Sequence, residues 1–162
     1  KSAVRVVEDG KKKIKRGDHS GKIESMNADL LEALLCDGYT PVVAPPMLGD
    51  DGVAVNTDAY RVAAAMALAL GATLVALIDV AGFYADPAGP STLIESVTTP
   101  AGYDALTDAA EGFMTKKVMA ATEALESGAS EVIVAYANAD APVTAALGES
   151  GTHIRPNALE GP

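Results

Sequence analysis

Two short apolar runs, each preceded by a helical pattern, constrain the fold of this chain most. Leu74–Ile78 and residues 131–136 are almost continuously apolar, which is typical of strands that are covered on both faces. The segments before them, residues 59–70 and 114–126, repeat apolar residues at helical spacing and are expected to form helices. With a further strand predicted over residues 41–45, the order strand, helix, strand, helix, strand predicts an α/β fold with a largely parallel sheet flanked by helices.

Local signals predict the remaining elements. A helix is expected over residues 27–37, with Asn27 as its cap and Gly38 as its stop. The strand over 41–45 is expected to be short and buried, and to lead into a turn at residues 49–52. The other expected elements are a cap formed by Asn56-Thr57-Asp58 for the 59–70 helix, and short helices near 101–109 and 142–147.

The first sixteen residues predict a basic β-hairpin. Residues 4–7 and 13–16 flank Glu8-Asp9-Gly10, and Asp-Gly between β-prone runs is a strong hairpin signal. The run from Lys11 to Arg16 would form the second arm. Residues 1–16 hold seven Lys/Arg and two acids, a net charge of +5, which leaves −15 for the rest of a chain whose total is −10. This acidic remainder argues against general binding of nucleic acid.

Composition narrows the class of protein further. A chain of 162 residues, 49% of them hydrophobic, can bury a core and is expected to form one domain. No apolar run approaches the ~20 residues of a membrane-spanning helix, so no membrane partner is expected. The single cysteine, Cys36, lies on an apolar helical stretch and is expected to be an inert, small hydrophobe. With no signal-like segment at the start, a reducing, cytoplasmic setting is expected.

Neither a metal site nor a nucleophilic mechanism is indicated by the remaining reactive side chains. His19 and His153 are too isolated in the sequence to form a metal site or a histidine-centred mechanism. Ser20 and Ser25 lie in no motif that would activate them as nucleophiles. A dinucleotide-dependent oxidoreductase is also disfavoured, because no Gly-x-Gly-x-x-Gly turn follows a predicted strand.

Four segments, closed by Gly151-Thr152-His153-Ile154, resemble the amino-acid kinase family, and more closely its acetylglutamate and aminoadipate kinase branch. The four are Gly17-Asp18-His19-Ser20-Gly21-Lys22-Ile23-Glu24 with Asn27, Val55-Asn56-Thr57-Asp58, Ile78-Asp79-Val80-Ala81-Gly82-Phe83-Tyr84, and Gly112-Phe113-Met114-Thr115-Lys116-Lys117. The basic hairpin followed by Gly-Asp-x-x-Gly-Lys-Ile-Glu resembles kinases whose substrate is held by a small acidic carrier protein. The resemblance implies a carbamate kinase-like fold, of which residues 1–162 would be the C-terminal, nucleotide-binding part.

The resemblance also implies a reaction and the residues that serve it. The family transfers the γ-phosphoryl group of ATP to a side-chain carboxylate, here that of an N-blocked glutamate or 2-aminoadipate in arginine or lysine biosynthesis. The blocking group would be an acetyl group or the carrier protein, Mg²⁺ would be held through ATP, and a homodimer is left open. Lys117 matches the C-terminal of the two lysines that stabilise the transferred group, and Asn56 matches a contact to the amino-acid substrate. The residues that match the nucleotide site are Asp79, Val80, Ala81, Gly82, Phe83, Tyr84 and Met114.

Each of these positions also has a simpler interpretation. Lys117 could be a solvated lysine beside Lys116, residues 79–84 an ordinary turn in which Gly82 supplies a special backbone angle, and Asn56 a plain helix cap. Tyr60 stands four residues after Asn56, where the family has an aspartate that orients its catalytic lysines. Tyr136 likewise stands where the family commonly has an aspartate.

Two expectations about activity follow. The N-terminal lysine, the paired-glycine loops and the substrate-binding arginine of the family have no counterpart in the sequence. The chain by itself is therefore expected to be inactive. The alternative function is a non-catalytic nucleotide- or protein-binding module whose basic hairpin docks an acidic partner.

Overall fold

The computed structural model describes residues 4–8, 11–15, 21–86, 88–89 and 91–160. The chain divides into two compact units, Lys1–Val62 and Ala63–Pro162. Whether they act as the single domain expected from the sequence stays a prediction. Among the described residues, no helix is long and apolar enough to cross a membrane.

The first unit begins with the predicted hairpin. Strands β1 (Val4–Glu8) and β2 (Lys11–Lys15) pair in antiparallel fashion, with Val4 opposite Lys15. The turn residues Asp9 and Gly10, and Arg16 after β2, lie outside the described residues. The pairing confirms two strands at the places that the sequence indicated.

Helix α1 (Ala28–Cys36) follows, and its start confirms the expected cap. The N–H of Leu30 donates to Oδ1 of Asn27 at 3.1 Å, which satisfies one of the unpaired amides of the first turn. Gly38 lies just beyond the end, with φ of +83°, as a helix stop requires. Cys36 closes the helix and is exposed, and its expected inertness stays a prediction.

The predicted strand at residues 41–45 is wrong. These residues form no strand, and the Val42 side chain is 95% exposed. Pro41 and Pro45 have no N–H to donate to a strand ladder, which outweighs the β propensity of the valines between them. The short strands β3 (Met47–Leu48) and β4 (Ala54–Val55) pair instead around the expected turn, where Gly52 has φ of +74°.

Helix α2 (Ala59–Leu70) has the predicted bounds, and its cap is Asp58. Oδ1 of Asp58 accepts from the N–H of Tyr60 at 3.0 Å and from that of Arg61 at 3.2 Å. The cap therefore comes from the third residue of the predicted Asn56-Thr57-Asp58 signal.

The second unit contains a four-stranded sheet of order β5-β7-β8-β6. Its strands are β5 (Leu74–Ile78), β6 (Ser96–Val97), β7 (Val132–Tyr136) and β8 (Thr152–Ile154). The pairs β5–β7 and β6–β8 are parallel, and only the β7–β8 pair is antiparallel. This confirms a largely parallel sheet, while the reversed strand β8 was not predicted.

Helices cover both faces of this sheet. They are α3 (Pro100–Ala109), α4 (Phe113–Glu126) and α5 (Pro142–Leu147), and a 3₁₀ turn (Pro156–Ala158) follows β8. On one face Val134 and Ile154 share a buried cluster with Leu106 of α3 and Val118 of α4. On the other face Ile133 packs against a cluster that includes Ala146 of α5. The α/β fold expected from the sequence is therefore confirmed.

Candidate functional site

The candidate site lies where the central strands end. β5 and β7 run parallel, with Ile78 opposite Tyr136 at their last residues. Because β8 runs the other way and its Thr152 lies opposite Val134, the start of β8 reaches the same edge. Ligands of open α/β sheets collect at the carboxyl ends of parallel strands. The turn at residues 79–84, called here the 79–84 turn, leaves β5 at this edge.

Half of the 79–84 turn is fixed by the core. The N–H of Phe83 donates to Oγ1 of Thr152 at 2.9 Å, and both residues are buried. A Cβ added to Gly82 would lie 2.5 Å from Oγ1 of Thr152 and 3.0 Å from Cδ1 of Leu93. Gly82 has φ of +159°, which residues with a Cβ rarely adopt, so both the special turn angle expected from the sequence and the lack of space require a glycine here.

The other half of the turn faces outward. Asp79 and Val80 are exposed and Ala81 is half-buried. Tyr84 pairs with Leu93 in an antiparallel bridge, which closes the turn on its far side. Residues 79–81 therefore lie at the sheet edge, and the residues that follow them in the turn are held by the core.

The first turns of α4 pack on the same core as the 79–84 turn. Phe83, Met114 and Val118 all belong to one hydrophobic cluster. Lys117 is half-buried, whereas the neighbouring Lys116 is exposed. The N-cap residue of this helix is Gly112, which has φ of +56°. Because it is a glycine, no side chain caps the amides of the first turn.

A helix N-terminus carries partial positive charge, and Lys117 adds a full charge one turn later. Both features suit the oxygen atoms of a phosphate chain. Lys117 is half-buried and Lys116 is exposed, but a role for either lysine stays a prediction.

A cavity of about 370 Å³ opens at the same edge. It is lined by Ala81 of the turn, by Tyr136 at the end of β7 and by the 149–151 segment before β8. Glu149 in this segment has φ of +96°, a conformation that costs a residue with a Cβ about 1–2 kcal/mol. Of the residues predicted to bind nucleotide, Ala81 is the one that lines this cavity among those the structure describes.

Asn56 and Tyr60 belong to the first unit. Asn56 is exposed, its carbonyl accepts from the N–H of Gly21 at 2.9 Å, and its side chain makes no hydrogen bond to a described residue. The interpretation of Asn56 as a plain helix cap is therefore wrong, because Asp58 fills that role. Tyr60 lies half-buried in the first turn of α2. Val55, next to Asn56, lines a cavity of about 510 Å³ within this unit.

His153 is less isolated than the sequence suggested. Its Nδ1 lies 3.2 Å from Oε1 of Glu131, and Nε of Arg155 donates to the same oxygen at 3.1 Å. The sequence gave no sign of this cluster, because Glu131 lies 22 residues before His153. Within the part of the chain that the structure describes, no group of three or more His, Cys, Asp or Glu could hold a metal ion.

Thr152 is the site residue that sequence reasoning did not find. The closing Gly-Thr pair was noted as part of a motif, but the partner of Thr152 lies 69 residues earlier in the chain. A signal was present in the form of a threonine directly after a glycine, at the start of a short β-prone run.

Comparison with known proteins gives a consistent set of relatives. The model of the Amino acid kinase family matches residues 2–136. The [LysW]-aminoadipate kinase of Thermus thermophilus is 40% identical over 161 residues, which cover 96% of this chain and 58% of that protein. The [LysW]-aminoadipate kinase of Deinococcus radiodurans is 42% identical, and the match covers 95% of this chain and 53% of that protein. The acetylglutamate kinase of D. radiodurans is 41% identical and covers 84% and 55%.

Solved structures share the fold at lower identity. N-acetylglutamate synthase from Neisseria gonorrhoeae, complexed with coenzyme A and L-arginine, has a TM-score of 0.76 and 24% identity, covering 96% of this chain and 36% of that one. Carbamate kinase from Giardia lamblia, bound to AMP-PNP, has a TM-score of 0.62 and 20% identity, covering 95% and 52%. The chain thus spans little more than half the length of the curated relatives described above.

Proposed function

Because the chain belongs to the amino acid kinase family, we propose that it forms the nucleotide-binding part of an ATP-dependent kinase whose acceptor is a side-chain carboxylate. The proposed acceptor is glutamate or 2-aminoadipate with its amino group blocked by an acetyl group or a carrier protein. The names of the relatives as [LysW]-aminoadipate and acetylglutamate kinases support this choice. A role in arginine or lysine biosynthesis, a cytoplasmic location and inactivity of the chain by itself are parts of the same proposal.

In the proposed reaction, the bond between the γ-phosphorus of ATP and its bridging oxygen breaks, and a bond from that phosphorus to a carboxylate oxygen forms. ADP leaves and an acyl phosphate remains. Little covalent help is needed, so catalysis depends on positioning and on positive charge. Lys117 and the start of α4 would bind the phosphates, and Asn56 would contact the amino acid. Mg²⁺, held through ATP, would neutralise phosphate charge.

The observation that carries the proposal is the shared core beneath the turn and the helix. Phe83 of the 79–84 turn and Val118, next to Lys117, lie in one buried cluster. The turn and the helix that carries Lys117 therefore pack against the same core. This shared support is what favours the proposal that the two elements bind one nucleotide.

Calorimetric titration of the folded chain with Mg-ATP, ADP and adenosine tests the proposal. We expect Lys117→Met to weaken ATP binding about tenfold or more, because a charged hydrogen bond to phosphate is lost. Adenosine binding should change much less. Lys116→Met is the matched control, since it removes an exposed lysine one position away, and it should leave the affinity near that of the wild type. A folded wild type that binds no ATP would contradict the proposal, as would equal losses in the two variants.

A second candidate function is a non-catalytic module that binds nucleotide or an acidic protein. Tyr60 supports it, because a neutral phenol cannot replace a carboxylate that orients two lysines. In this case the basic hairpin would bind the partner, and the site with Tyr60 would not transfer a phosphoryl group.

The hairpin can be tested separately. Replacing Lys11, Lys12 and Lys13 by Ser should slow association with an acidic carrier protein and reduce its salt dependence, because screening acts over ~8 Å at physiological ionic strength. Binding of free acetylglutamate should not change, and Lys116→Ser serves as a control for the loss of charge elsewhere. Unchanged carrier binding would mean that the hairpin is only a solvated surface.

A further inference from the structure

Thr152 has an unusual position for a polar side chain. It is fully buried at the first residue of β8, and the other buried residues of the described core are apolar. Buried hydroxyl groups are normally hydrogen-bonded, and this one accepts the N–H of Phe83 at 2.9 Å. A polar atom placed in an apolar core for a single backbone contact suggests that the contact matters for more than packing.

The backbone before Thr152 fixes the place of this hydroxyl. Gly151 has φ of +106°, and a Cβ there would lie 2.5 Å from the carbonyl oxygen of Val134 and 2.9 Å from Cβ of Ala135. Strand β8 therefore enters the sheet in close contact with β7, with Thr152 directly opposite Val134. Because threonine is branched at Cβ, its side chain has few alternatives to this orientation.

The peptide that Thr152 binds is held from several sides. Gly82 lies so close to Thr152 that no Cβ would fit, and the Phe83 side chain is only 3% exposed in the core. The carbonyl of Phe83 accepts the N–H of Ile94 at 2.8 Å. Fixing this peptide holds one end of the exposed half of the turn and so reduces the conformations open to its backbone.

We propose that Thr152 is a positioning residue for nucleotide binding, which holds the 79–84 turn in its binding conformation through the Phe83 amide. The inference rests on the proposed function, since that function assigns the nucleotide to this turn. Thr152 itself does not touch the nucleotide. It acts on the backbone of Asp79, Val80 and Ala81 through the buried part of the turn. Thr152 also lies beyond residue 136, where the match to the family model ends.

The role can be separated from plain stability. Thr152→Val keeps the shape of the side chain and removes the hydroxyl group, while Thr152→Ser keeps the hydroxyl group. Thr122→Val is the matched control, because the half-buried Thr122 hydroxyl bonds to Tyr103 and to the carbonyl of Val118 and not to the turn. ATP affinity is measured by calorimetry, and hydrogen exchange of the Phe83 amide is measured by NMR without nucleotide.

We expect Thr152→Val to weaken ATP binding about tenfold and to speed exchange at Phe83 by a similar factor. Thr152→Ser should restore both values to within about threefold of wild type, and Thr122→Val should change neither, even if its melting temperature falls. Wild-type ATP affinity in Thr152→Val would overturn the proposal, as would equal losses in Thr152→Val and Thr122→Val.

The failure of this inference is distinguishable from that of the proposed function. If the folded wild type binds no ATP, the proposed function fails and Thr152 loses its role in nucleotide binding. The exchange of the Phe83 amide then shows whether Thr152 holds the turn at all. If ATP binds and only the Thr152 result is negative, the proposed function stands without this residue.

Discussion

The 79–84 turn, predicted to bind nucleotide, and the 55–60 segment, predicted to contact the amino acid, are held in different ways. The turn is fixed by a buried hydrogen bond between Phe83 and Thr152 and by a glycine with no room for a side chain. The 55–60 segment combines the last residue of a two-residue strand with the start of a helix, and its Asn56 side chain is exposed. Its one buried residue is Val55.

The difference indicates that the turn predicted to bind nucleotide is held by contacts within the second unit, whereas the segment predicted to contact the amino acid has few buried contacts in its own unit. Nucleotide binding is therefore expected to survive changes that abolish phosphoryl transfer. The two activities should respond to different substitutions, and three variants examine this contrast.

The largest effect is expected for Gly151→Ala. Its φ of +106° strains any residue with a Cβ, and the added carbon would lie 2.5 Å from the carbonyl oxygen of Val134. We expect a loss of roughly 3 kcal/mol or more in the free energy of unfolding.

Gly52→Ala is the counterpart in the first unit, where φ is +74° and nothing lies within 4 Å of the added carbon. It should cost only about 1 kcal/mol. Urea titrations that give equal losses would remove the contrast between the regions.

The next effect concerns Tyr60→Asp. If the Tyr60 position orients the catalytic lysines, restoring a carboxylate should raise acyl-phosphate formation by the complete protein roughly ten- to a thousandfold. ATP affinity should change little, because the 79–84 turn lies in the other unit. Tyr60→Phe controls for the loss of the phenol alone and should leave the rate unchanged. Equal rates for wild type and Tyr60→Asp would mean that another residue organises the lysines.

The smallest effect is expected for Glu149→Gly. Because Glu149 has φ of +96°, glycine should relieve strain and raise the free energy of unfolding by about 1 kcal/mol, less the entropy that glycine adds to the unfolded chain. Thermal melts measure the gain, and Glu149→Ala, which keeps the Cβ and removes only the carboxylate, should show none. A melting temperature that falls in Glu149→Gly would mean that the side chain makes stabilising contacts.

Elements with a clear start and stop could be predicted from the sequence. Helix α2 matches its predicted bounds because Asp58 caps it and Gly71 ends it, and α5 matches because Pro142 starts it and Gly148 ends it. The strands β3, β6 and β8 could not be predicted, because two or three residues show no periodicity. The strands β6 and β8 also depend on partners far away in the chain, since Ser96 pairs with His153 and Val132 with Ile154.

For the candidate site, too, the elements could be predicted from the sequence, but the contacts between them could not. Resemblance placed residues on the 79–84 turn and on α4, and the structure packs both against one core, although their roles stay predictions. What supports the turn could not be read from the sequence. The hydrogen bond to Thr152 and the lack of space around Gly82 both depend on the position of β8, which is set by tertiary structure.

The hydrogen bond between Phe83 and Thr152 has a consequence for synthesis of the protein. A ribosome adds about 5–20 residues per second, and the two partners are 69 residues apart. The turn therefore emerges several seconds before its anchor, and contacts of such separation form late in folding. Every residue predicted to bind nucleotide is already made by Lys117. A nascent chain at that length carries the predicted contacts, and under the proposed role of Thr152 its turn is held for ATP only after β8 is made.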